Sequence, residues 1–121
     1  MNHVFNVKLK ALLAELASLE QDPQNNYSNI VTIKGKIAKL YHDDGNYQKS
    51  IEWYKNTLNS CTHIKNIQLE LVLVILNNIA FGFTEIGNYK EAMEYANYAI
   101  DFNSQTNLAN LAESNFIIAK V

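Results

Sequence analysis

Cys61-Thr62-His63 brings a thiol and an imidazole within two positions of each other, the residue types from which a metal site or a nucleophile and its base can be built. Structural zinc needs four ligands, and the remaining histidines, His3 and His42, lie far along the chain. A cysteine nucleophile needs a base oriented by a third group and donors for an oxyanion, and no stretch marks such a pocket. His42-Asp43-Asp44 precedes Gly45 at the end of a helical stretch, where carboxylates oppose the helix dipole, so a solvated turn is the economical reading. No Gly-rich phosphate loop, paired-carboxylate motif or HExxH stretch occurs. The expectation is therefore a chain that is no enzyme and carries neither metal nor cofactor. What remains is recognition chemistry: lysine ammonium groups suited to carboxylates, and asparagine amides that donate and accept as a peptide group does.

The elements that would position these groups are helices. The 121 residues include one proline and four glycines, and apolar residues recur three and four apart over long stretches. Ten basic residues against twelve acidic give a formal charge of -2, without the clustered basic footprint of a nucleic-acid binder. The longest apolar run, Leu71 to Leu76, is far short of the roughly 20 residues that cross a bilayer. The N-terminal stretch is amphipathic rather than signal-like, and with the single Cys61 this leads to an expected cytoplasmic location.

Self-similarity organises the helices. Gly45-Asn46-Tyr47-Gln48-Lys49-Ser50-Ile51-Glu52 aligns with Gly87-Asn88-Tyr89-Lys90-Glu91-Ala92-Met93-Glu94 at an offset of 42 residues, which also pairs Ile37 with Ile79, Tyr41 with Phe83 and Leu58 with Ile100. Each glycine ends one helix and each following asparagine caps the next. In the second unit, Ile79, Ala80, Phe83 and Ile86 are expected to face Tyr89, Ala92, Met93, Ala96, Ala99 and Ile100. The period gives first helices from about Pro23 to Asp43, with Asp22 as N-cap, and from about Ile64 to Ile86. The chain thus reads as one all-α domain of antiparallel helical hairpins with about six helices: a partial repeat at 3–20, repeats at 23–60 and 64–103, and a partial repeat at 106–121.

Ala38, Tyr41, Gly45, Tyr47 and Ser50, and again Ala80, Phe83, Gly87, Tyr89 and Ala92, make the chain similar to the tetratricopeptide repeat family. Ser50 and Thr57 depart from its usual alanines, which predicts a looser first hairpin, and no proline closes either repeat. Against the usual repeat of about 34 residues the period is long, resembling bacterial peptide-sensing regulators and cargo-binding motor light chains. The Asn-, Lys- and Ile-rich composition leans toward a bacterial source. The resemblance implies a superhelix whose first helices line a concave surface for a peptide or protein partner. On that face the expected contacts are Lys36, Lys39, His42, Asn77, Asn78, Phe81, Glu85 and Lys120. Asn78 matches the asparagine with which peptide-binding members hold ligand backbone, and Lys36 and Lys120 stand one period to either side. Phe81 reads more economically as core. The apolar ending Phe116 to Val121 suggests a competing reading, a homodimer in which each chain covers the other's end, or a fragment of a larger regulator.

Overall fold

The computed structural model describes residues 3–104. Among them are five α-helices and no strand: α1 (His3–Leu19), α2 (Tyr27–Asp43), α3 (Tyr47–Cys61), α4 (Leu69–Glu85) and α5 (Tyr89–Ser104). Each packs against the next along the chain. The sixth helix expected at 106–121 lies outside the described residues.

The two turns inside the hairpins follow from their glycines. Gly45 and Gly87 take φ of 82° and 86°, where a side chain is strained and glycine is not. The reversal lets Asn46 N–H reach Tyr41 O at 3.0 Å and Asn88 N–H reach Phe83 O at 2.9 Å, satisfying carbonyls that the helix ends leave open. Asn46 Oδ1 then accepts from Lys49 N–H at 3.1 Å and caps α3.

The starts of the first helices differ from expectation. Pro23 does not open α2; it opens a separate 3-10 turn, Pro23–Asn25, and α2 begins at Tyr27. Asp22 does not cap the backbone, because its carboxylate accepts from Asn25 Nδ2 at 2.8 Å while Asn26 Nδ2 donates to Asp22 O. These local bonds give the backbone an alternative to continuing the helix. Likewise α4 starts at Leu69 rather than near Ile64, since the preceding connection is a run of turns tied inward by buried Ile67 and half-buried Ile64.

The core forms two clusters. Leu16, Ile30, Ile33 and Ile37 join α1 to α2, while the larger cluster runs from Val31 and Ala38 through α3 and α4 to Ala99 and Phe102. Trp53 on α3 packs against both. The first hairpin is not the looser one expected from Ser50 and Thr57. Both are buried, Ser50 Oγ donates to Ala38 O at 3.0 Å across the hairpin, and Thr57 Oγ1 donates to Trp53 O at 2.7 Å. A buried hydroxyl with a partner costs little. Lys34, also buried, donates from Nζ to Asn56 Oδ1 at 2.7 Å and Ser60 Oγ at 2.8 Å, tying α2 to α3.

Two helical glycines play opposite parts. A Cβ on Gly82 would lie 2.8 Å from Ile51 Cγ1, so its absence lets α4 lie flush on α3. At Gly35 the nearest atom to such a Cβ is Thr57 Cγ2 at 4.0 Å, leaving open space above α2.

Candidate functional site

That open space belongs to a groove of about 470 Å³ between the two first helices. Its apolar part comes from Val31 on α2 and from Leu71, Val74 and Ile75 on α4, with Tyr54 and Thr57 of α3 lining it as well. Lys36, Lys39, His42 and Asp43 enter from α2, and Asn78 from α4. Spacings of three and four residues put the α2 side chains on one helix face, and Gly35 among them keeps the groove open.

Of the residues read from sequence, Lys36, Lys39, His42 and Asn78 are thus brought together. Lys36 is exposed and makes no ion pair among the described residues, whereas Lys39 Nζ meets Asp43 Oδ2 at 2.9 Å, a solvent-exposed pair one helical turn apart. Asn77 turns to a different cleft of about 350 Å³ that includes Leu73, Ala96 and Ile100. Glu85 is exposed at the last turn of α4 and is not among the groove-lining residues. Lys120 lies outside the described residues.

Phe81 is not core: it is 44% exposed. Its ring lies 5.2 Å from that of His42 and 5.8 Å from that of Tyr47, and His42 and Tyr47 meet edge-on at 5.4 Å. This aromatic trio joins the end of α2 to α3 and α4. Within it, His42 Nδ1 is buried with no hydrogen-bond partner among the described residues.

Tyr54 also lines the groove, although it is not among the contacts expected from the sequence. Burial, reinforced by the negative charge of Asp43, pushes its hydroxyl up to about 12, so it stays a proton donor at neutral pH. Its position in the repeat, on the α3 face toward α4, was the available signal.

Cys61 and His63 do not converge. Cys61 is fully buried and its thiol is pushed up to about 11 by burial, while His63 is exposed and stacks on Tyr27 at 4.5 Å. Among the described residues no group of three or more His, Cys, Asp and Glu side chains is placed to hold a metal, and no helix is long and apolar enough to cross a membrane.

No curated protein and no solved structure matches the chain. The model of one family, described as the tetratricopeptide repeat, matches residues 29–105, which contain both glycine turns, the groove, α3, α4, α5 and all but the first two residues of α2. With that match spanning well over half of the sequence, and with two successive helical hairpins turned at equivalent glycines, the chain belongs to the tetratricopeptide repeat family.

Proposed function

We propose that this chain holds a segment of another polypeptide in the groove between α2 and α4, as a scaffold or a peptide sensor. Tetratricopeptide repeats in general mediate contacts between proteins. The observation that carries the more specific reading is the pairing of an apolar trough with Lys36 and Asn78 on opposite walls. An apolar side chain gains by leaving water against Val31, Leu71 and Ile75. The Asn78 amide suits a peptide group because it both donates and accepts, and the unpaired Lys36 suits a carboxylate of the same segment. Lys39 and His42 extend this contact line toward the turn, with Phe81 against the His42 ring; Asn77 and Glu85 lie off the groove, and Lys120, outside the described residues, stands one period after Asn78 in the sequence.

The test uses peptides enriched on the intact protein from a displayed random library, titrated against wild type, Asn78→Ala and Lys36→Glu. Loss of about tenfold or more in affinity is expected for Lys36→Glu, since a charge-assisted hydrogen bond is worth about 1.5–3 kcal/mol, and loss of about two- to tenfold for Asn78→Ala, whose bonds to a peptide group are neutral and worth about 0.5–1.5 kcal/mol. Unchanged affinity in both variants contradicts the reading.

A further inference from the structure

Tyr54 is only 5% exposed, its ring belongs to the larger core cluster, and yet it lines the groove. Its hydroxyl makes no hydrogen bond with another described residue. The other groove hydroxyls have their hydrogens engaged inside their own helices: Thr32 Oγ1 donates to Ser28 O at 3.0 Å, and Thr57 Oγ1 to Trp53 O at 2.7 Å. The Tyr54 hydroxyl also lies near enough to Asp43, a lining residue of α2, to feel that carboxylate, and it keeps its proton at neutral pH. A tyrosine with its ring in the core and its polar tip left over is suited to hold a ligand by that tip.

Filling the groove changes the surroundings of this hydroxyl. In the free protein water can accept its proton. A side chain that displaces the water must accept in its place, or it leaves a donor unpaired among Val31, Leu71 and Ile75. A wholly apolar occupant is therefore penalised. Charge decides which acceptor fits: Asp43 opposes a second carboxylate beside it, whereas an amide brings a neutral oxygen together with two N–H donors. Asp43 suits those donors, because Lys39 engages its Oδ2 and leaves Oδ1 without a partner among the described residues. Resting on the reading of the groove as a polypeptide site, we infer that Tyr54 is a specificity-determining residue: it selects a segment that places an Asn or Gln side chain in the groove, the amide oxygen accepting from the Tyr54 hydroxyl. Lys36 and Asn78 remain for the carboxylate and backbone of the same segment.

The test enriches peptides from a displayed random library on the intact wild-type chain and, separately, on Tyr54→Phe, which keeps the ring in the core. Wild type is expected to enrich sequences that share an Asn or Gln position, and Tyr54→Phe to take Met or Leu there. One wild-type peptide and its apolar isostere, with Met in place of Gln or Leu in place of Asn, are then titrated calorimetrically against both proteins. The isostere is expected to bind wild type about fivefold or more weakly than the parent peptide, and to bind Tyr54→Phe as well as the parent does. A structural defect in the variant weakens both peptides alike and leaves their ratio in place, and the wild-type arm involves no altered protein. An isostere that binds wild type as tightly as the parent, or a preference that persists in Tyr54→Phe, overturns the inference, while sensitivity of the same peptides to Lys36→Glu keeps the groove reading standing. A shared Asp or Glu position whose preference vanishes in Tyr54→Phe overturns the neutral acceptor. A library from which wild type enriches nothing overturns both readings together.

Discussion

At the scale of single residues, the groove depends on what is missing as much as on what is present. Gly35 and Gly82 sit in corresponding kinds of helix and respond oppositely to a methyl group. Gly35→Ala adds helix propensity without a clash and is expected to raise stability by about 0.5–1 kcal/mol in urea unfolding. Gly82→Ala drives a Cβ into buried Ile51 and is expected to lower it by about 1–2 kcal/mol, overpacking outweighing the same propensity gain. His42 presents a different balance: its buried Nδ1 lacks a partner while its ring makes two aromatic contacts. His42→Phe keeps the ring and removes the unsatisfied atom, so stability is expected to hold or rise by about 1 kcal/mol, measured by the same unfolding.

At the scale of elements, the hairpin turns were the most legible part of the sequence. Gly45 and Gly87 stand at the same place in a repeat, and the left-handed backbone they adopt is available to few other residues. Gly45→Ala is expected to cost about 1 kcal/mol, and Gly45→Asn less, in thermal unfolding followed by circular dichroism. The starts of α2 and α4 were harder to read. Asp22-Pro23 carries the usual signal for a helix N-terminus, but the side chains of Asn25 and Asn26 bond back to Asp22 and close a turn of their own. Tyr89, Met93 and Ile100, expected inside the second hairpin, are 68%, 65% and 64% exposed on α5, because helical spacing identifies an apolar stripe without saying which neighbour covers it. In the groove, Lys36, Lys39, His42 and Asn78 were found from repeat position. Phe81 was read as core because an aromatic at helical spacing usually is, and Tyr54 was overlooked because a buried tyrosine can line a groove while filling a core. No pattern in the sequence separates Lys34 from its exposed neighbours, since only the approach of Asn56 and Ser60 from α3 explains its burial.

At the scale of the whole molecule, the fold buries groups that resist losing protons, and this sets its response to alkali. The Cys61 thiol moves from 9.0 to about 11, and the Tyr54 and Tyr95 hydroxyls from 10.0 to about 12, each chiefly through burial. A group whose folded value is raised keeps its proton in the fold after the unfolded chain has lost it. Its contribution is complete below the unfolded value and is lost as pH rises through the folded one. Stability is therefore expected to decline from about pH 9 and to continue falling to about pH 12, read from urea midpoints at successive pH values. Lys34 acts the other way, since burial outweighs the nearby Glu20 carboxylate and lowers its value from 10.5, but one such group faces three. Cys61→Ala is expected to flatten the first part of the decline while leaving the tyrosine part in place.

The central claim is that the space between α2 and α4 is where a polypeptide partner lies, and Gly35→Leu addresses it most directly. Gly35 lines the groove at a position where a Cβ meets nothing closer than 4.0 Å, so the added side chain is expected to occupy the groove with the fold kept. Peptides enriched on wild type from a displayed random library, titrated calorimetrically against Gly35→Leu, are expected to lose about tenfold or more in affinity, with unfolding midpoints no lower than wild type. Peptides that bind both proteins equally, or a library from which wild type enriches nothing, would contradict the assignment of this groove as the binding site.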